Sequence, residues 1–240
     1  MRPVKPDSSV ATLIGDVVHS RSATERAELH AHLAALLQRA NTELQPLVPL
    51  RITVGDEFQG CFSRLGEALH STLWLRLHLA PVADLRHGVG WGAVQVLADS
   101  PRVEDGPGWW AAREAIEWVK AEAGRAAMRR VRTAYRRADE GGGTEDQADR
   151  ATGVGTGVDS GAGAGGPDPD AINAALFCRD QMVGSVSPRS VRLLRGMLVG
   201  RSQVELAEDE AISASAVSQR VRNDGLGVIV AADELLRRVG

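Results

Sequence analysis

The chain has 240 residues, 43% of them hydrophobic and 25% charged, with a formal net charge of −3 at pH 7. That is enough apolar material for a real core, and the charge balance excludes a global basic field that would advertise nucleic acid or an acidic membrane surface. The N-terminus lacks the basic, apolar and small-residue succession of a signal peptide, and no stretch reaches the roughly 18 apolar residues of a membrane span, so a soluble cytoplasmic protein is expected.

Val10 to Gly15 is a near-continuous apolar run, the pattern of a strand covered on both faces, and it ends at Asp16. A helix is expected from near Ser22 to Asn41, with Leu29, Leu33, Leu36, Leu37 and Ala40 on one stripe. Two apolar runs, Ile52 to Val54 and Phe58 to Phe62, flank Gly55, Asp56 and Glu57; they read as a β-hairpin whose tip presents carboxylates. An ordinary solvated turn is the competing reading of that tip, because Gly-Asp is common turn chemistry. A second helix carries Leu65, Leu69, Leu73 and Leu77 and stops at Pro81; its His70 and His78 read as surface or packing residues. Residues 85–97 form a strand or hairpin whose Gly88, Gly90 and Gly92 bare one face, so something large is expected to lie against it. Gly106-Pro107-Gly108 breaks the chain and a third helix follows, after which residues 128–136 alternate as an edge strand. Cys61 and Cys178 lie far apart in apolar runs and are expected to be buried free thiols.

Residues 140–166 hold Gly, Ala, Thr and Asp with hardly a large apolar side chain, too little to order themselves. A flexible linker at 140–167 would therefore separate an α/β domain at 1–139 from an all-helical one at 168–240. In the latter, residues 203–208 and 214–222 read as two short helices around a turn, with Leu206, Ala207, Ile212 and Val217 as their seam and Ser213 as an N-cap. Ser215, Ser218, Gln219 and Arg222 would then face outward, as on a helix that reads DNA. A plain four-helix interaction module uses the same packing, and residues 187–240 carry eight arginines against seven acidic residues, a thin electrostatic footprint. The segment resembles the helix–turn–helix of bacterial regulators and of sigma-factor region four, with Ala211 where a glycine is usual.

Strand, helix, hairpin, helix and strand is the order of a ferredoxin-like βαββαβ core, in which Asp16 and Asp56 could meet at one end of the sheet. Two carboxylates held together repel unless a cation joins them, and Mg²⁺ takes such oxygen ligands. Ile14-Gly15-Asp16-Val17-Val18, Val54-Gly55-Asp56, Arg86-His87-Gly88-Val89-Gly90-Trp91-Gly92 and Gly106-Pro107-Gly108-Trp109-Trp110-Ala111-Ala112-Arg113 resemble, in order, four segments of class III nucleotide cyclases. Gly55-Asp56-Glu57-Phe58 is also similar to the signature of diguanylate cyclases. Two departures stand out: Trp109 occupies the place of the cyclase helix's Asn, and Ile52 that of the base-reading Lys. The chain as a whole resembles the SatD family, through Gly15-Asp16 with Ser20-Arg21, Gly55-Asp56-Glu57-Phe58-Gln59-Gly60, the Gly-Pro…Ala-Arg helix and the C-terminal helices.

The resemblance implies an α+β fold: a ferredoxin-like, nucleotide-cyclase-like domain plus an all-α helix–turn–helix domain. It implies Asp16, Asp56 and Glu57 as metal ligands for Mg²⁺, Arg21 and Arg113 as groups for the phosphates of a nucleotide, and no committed catalytic residue. Cyclase-type sites often form between two such domains, so a homodimer is a further expectation. Three functions follow: a DNA-binding regulator whose cyclase-like domain binds a nucleotide or metal–phosphate ligand, a metal-dependent nucleotidyl-transfer enzyme, or a non-catalytic interaction protein. The lost Asn weighs against the enzyme, because binding needs less than catalysis.

Overall fold

A computed structural model describes residues 9–18, 23–99, 102–138 and 166–240. Strand β1 (Ser9–Val18) is apolar because it runs through the middle of a five-stranded sheet with neighbours on both edges. Helix α1 (Ala23–Leu44) follows, then the hairpin of β2 (Val48–Ile52) and β3 (Phe58–Phe62), helix α2 (Leu65–Leu79) and strand β4 (Asp84–Ala93). The strands lie in the order β2-β3-β1-β4, and β1 is antiparallel to both β3 and β4. That is the ferredoxin-like arrangement the element order predicts. Helix α1 runs one turn past Asn41, the expected end.

Residues beyond the core extend it in two ways. Strands β5 (Gln95–Asp99) and β6 (Arg102–Asp105) pair only with each other, as a two-stranded hairpin apart from the main sheet. Helix α3 (Pro107–Glu122) then crosses back, and β7 (Thr133–Arg137) joins the edge of β4 in parallel register. The bare face of β4 is where α3 lies. A Cβ on Gly88 would stand 2.2 Å from the Ala112 carbonyl oxygen, and one on Gly90 2.2 Å from that of Gly108. Glycine is required there because helix and strand backbones touch.

Alternation sorts the sheet into two faces. Ala11, Leu13, Val17, Phe58, Phe62, Leu85 and Val89 pack with α1 and α2, whereas Val10, Ile14, Cys61, Trp109 and Ile116 form the core under α3. Thr12 on the α3 side donates its hydroxyl to the Gly108 carbonyl at 2.7 Å.

The helices after the sheet are α4 (Pro169–Val183), α5 (Pro188–Leu198), α6 (Gln203–Asp209), α7 (Ala214–Asn223) and α8 (Leu226–Leu236). Ile172 and Leu176 of α4 and Leu236 of α8 belong to the same core as the α1/α2 face of the sheet. Nearly every residue of α2 is buried, since Leu65 and Leu69 face the sheet core while Leu73 and Leu77 enter the core of α4–α8. Of its buried polar side chains, His70, Thr72 and Arg76 find partners in the neighbouring elements. Of the expected linker, only Gly166 and Pro167 are among the described residues, and their carbonyls accept hydrogen bonds from Arg137 and Tyr135.

Three expectations need correction. Cys61 is buried, but Cys178 is exposed, because α4 turns its Leu176 side and not its Cys178 side to the core. His70 does not lie at the surface: it is buried, and its Nδ1 lies 2.6 Å from Asp233 Oδ2 on α8, a partner 163 residues away. Residues 85–97 do not form one strand or hairpin: β4 ends at Ala93, and β5 leaves the main sheet to pair with β6.

Candidate functional site

The hairpin tip is built by a tight turn in which Gly55, the first of two central residues, takes φ +63° and the Glu57 amide donates to the Val54 carbonyl at 3.0 Å. This turn aims Glu57 at α3. Arg113 donates to both Glu57 carboxylate oxygens, each at 2.6 Å. The guanidinium fork matches the carboxylate in bidentate fashion, the strongest common form of such a pair. Hydrogen bonding from Arg113 accordingly holds the Glu57 carboxyl below its usual range and raises Arg113 in return.

Arg113, Glu117 and Lys120 stand at i, i+4 and i+7, one stripe of α3. Glu117 lies 4.0 Å from Arg113 and 2.8 Å from Lys120, and Lys120 Nζ lies 3.3 Å from Asp16 Oδ2. Asp16 sits directly opposite Arg86 in the β1–β4 register, and Arg86 donates to its two oxygens at 2.9 and 3.2 Å. Glu57, Arg113, Glu117, Lys120, Asp16 and Arg86 thus form one chain of alternating charge along the flank of α3. Three positive and three negative side chains balance.

Of the residues singled out in the sequence, the structure brings Asp16, Glu57 and Arg113 into this chain. Asp56 is half-buried in the turn and has no side-chain hydrogen bond or ion pair among the described residues. Arg21 lies outside the described residues. Sequence reasoning missed Arg86, Glu117 and Lys120. Lys120 carried a signal, being one of only two lysines in the chain and seven residues beyond Arg113. Arg86 could be found only once the β1–β4 register was known.

The acidic residues do not fit a resident Mg²⁺ in this arrangement. Among the described residues no group of three or more His, Cys, Asp or Glu side chains converges on one point. Asp16 and Glu57 already have their oxygens on cationic side chains, which a divalent ion would have to displace.

At the other end of the molecule, Val217 is buried in the seam and Ser213 caps α7 by accepting from the Ala216 amide at 3.1 Å. Ser215, Gln219 and Arg222 are exposed; Ser218 is half-buried and accepts from Arg222 at 3.2 Å. Nearby arginines are spoken for: Arg192 and Arg189 pair with Glu210, and Arg201 with Asp209. The turn residue Ala211 takes φ +50°, the left-handed conformation that a glycine adopts more easily.

Sheet and helices meet in a buried polar joint. Asp180 of α4 accepts from the backbone amides of Arg132 and Thr133 at 2.8 and 2.7 Å, and from Arg76 of α2 at 3.3 Å. Arg76 and Arg132 both donate to Asp84 at the start of β4, and they outweigh burial in holding its carboxyl below the ordinary range. Arg179, also buried, donates to the Leu69 carbonyl and the Thr72 hydroxyl of α2.

Among solved structures, a bacterial light-regulated adenylyl cyclase is similar at 13% identity and a TM-score of 0.43, over 55% of this chain and 44% of that one. The catalytic core of a rhodopsin-guanylyl cyclase with converted specificity, in complex with ATPαS, is 14% identical with a TM-score of 0.41, over 47% of this chain and 73% of that one. The monomeric guanylyl cyclase domain of the RhoGC fusion protein from the aquatic fungus Blastocladiella emersonii is 16% identical with a TM-score of 0.40, over 47% of this chain and 77% of that one. This chain thus spans less than half the length of the first of them. No curated protein matches it. No helix among the described residues is long and apolar enough to cross a membrane. The model of the SatD family matches residues 10–139, more than half of the chain and, but for Ser9, all of the sheet that carries the charge chain. On that match the protein belongs to the SatD family.

Proposed function

We propose that this protein is a DNA-binding regulator whose α/β core receives a nucleotide or another phosphate-bearing small molecule as its signal. The observation that carries the reading is the buried joint at Asp180, which ties β7 and α2 to the helical layer that presents Ser215, Gln219 and Arg222. Strand β4 has Arg86 of the charge chain on its α3 face and Asp84 of the joint at its start, so a change at one is felt at the other. Metal-dependent nucleotidyl transfer is disfavoured, because Asp16 would first have to leave Arg86 and Lys120. One observation favours a second reading, a non-catalytic interaction module: the arginines nearest the turn are neutralised by Glu210 and Asp209.

An electrophoretic mobility series with full-length protein and duplex DNA separates the two. The regulator binds at low salt and releases as salt rises, and Arg222→Ala weakens binding on all sequences and lowers the log–log salt slope by about 1. Absence of any shift at low salt would leave the interaction module.

A further inference from the structure

We infer that the core binds its anionic ligand without a divalent metal ion, Arg113 and Lys120 providing the positive charge and Asp16, held by Arg86, serving as the internal anchor of Lys120. This rests on the proposed phosphate-bearing ligand and specifies its class as an oligophosphate taken directly by side chains. The first support is the state of Asp16. Its side chain is 11% exposed and is satisfied by Arg86 and Lys120, so it is a counter-ion already in use. Pulling it away to hold a metal would strand two partly buried cations, a costly change in a low-dielectric setting.

The second support is which carboxylates can be exchanged. The six side chains of the charge chain balance to neutrality, so an incoming anion must replace a carboxylate and not simply add to the site. Glu57 is 21% exposed on a hairpin tip and Glu117 is 55% exposed on the helix surface, whereas Asp16 is inside. A phosphate would therefore displace Glu57 from Arg113 and Glu117 from Lys120, and both freed carboxylates can reach water. Glu57 holds Arg113 with the bidentate geometry a phosphate would use, and so occupies that guanidinium until the ligand arrives.

The test is calorimetric titration of the full-length protein with inorganic tripolyphosphate, once in EDTA and once with Mg²⁺. The protein is expected to bind in EDTA with no gain from Mg²⁺. Lys120→Gln should weaken binding about tenfold, the scale of one charge-assisted hydrogen bond, and Lys120→Arg should restore it. Glu57→Gln should strengthen binding by freeing Arg113, and Asp16→Asn should retain it. Binding that needs Mg²⁺ and vanishes in Asp16→Asn overturns the inference and leaves the phosphate-ligand reading standing. Binding in EDTA that ignores both Lys120→Gln and Glu57→Gln puts the anion elsewhere and also overturns it. No binding in either buffer removes the phosphate-ligand reading itself. Glu57→Gln changes only the hairpin tip, so it keeps the test decisive where Asp16→Asn fails to fold.

Discussion

Asp16 on β1 and Lys120 on α3 stand 3.3 Å apart, a strand carboxylate fastened to the last turn of the helix that covers its sheet. Arg86 grips the same carboxylate from the neighbouring strand, so three elements converge on a residue that the sequence presents as a metal ligand. The carboxylate is required for charge balance whether or not a ligand is present. Asp16 is therefore a positioning residue.

The Glu57–Arg113 pair gives the hairpin an acid-sensitive tether. Glu57 has its folded pKa below the unfolded value of 4.5, so its contribution is complete above that value and is lost as pH falls through the folded one. Urea midpoints of the wild type and Glu57→Gln should therefore differ at pH 7 and draw together as the pH is lowered through the folded pKa. A gap that stays constant would show that the pair does not contribute through its charge.

His87 should weaken the fold in mild acid. It is fully buried with both ring nitrogens unpartnered among the described residues, and burial, with Arg179 and Arg76 nearby, pushes its pKa down to about 3. Between the unfolded value of 6.5 and that value only the unfolded chain takes the proton. Stability should fall as pH drops across this window, by up to about 1.4 kcal/mol per pH unit. His87→Phe, beside the Phe58 ring, should flatten that slope in denaturation curves from pH 7 to 4. An unchanged slope would assign the acid sensitivity to another group.

Both edges of the main sheet end on an asparagine. Asn41 of α1 pairs with the backbone N–H and C=O of Leu50 at 2.7 and 2.9 Å, and Asn173 of α4 does the same to Tyr135 at 2.8 and 2.9 Å. Each side chain imitates one residue of a missing strand and blocks pairing with another chain. Asn41→Leu and Asn173→Leu should each cost about 1–3 kcal/mol, and the two losses should add because the sites lie on opposite edges. Chemical denaturation of the single and double variants measures this; a negligible loss in either would show that water serves that edge equally well.

Ala211 pays for its φ of +50° at the turn between α6 and α7. Ala211→Gly should raise stability by about 0.5–1 kcal/mol, the left-handed strain relieved exceeding the entropy that glycine adds to the unfolded chain. A lower denaturation midpoint in the variant would mean that the Ala211 methyl supports the turn.

Much of the fold was legible because its signals are local. Alternate glycines in β4 announced a close neighbour, Gly55 announced the hairpin, and Ser213 announced a helix start. The β5–β6 hairpin escaped because Val94 and Gln95 continue the β4 pattern without a break, and only pairing reveals the departure. In the site, Asp16, Glu57 and Arg113 were found from motif resemblance, but their partnership was not. The carboxylates were expected to share a metal ion, whereas Arg86 and Lys120 pair with Asp16 directly and Arg113 with Glu57. The His70–Asp233 and Arg76–Asp180 pairs join residues more than a hundred positions apart, a distance over which no sequence period operates.

The most direct measurement is the thermal stability of the full-length protein against ATP and GTP, each in EDTA and in Mg²⁺. A ligand that binds the native core raises the melting temperature by mass action. A rise with at least one nucleotide is expected, present in EDTA and not increased by Mg²⁺. No rise with either nucleotide in either buffer would contradict it.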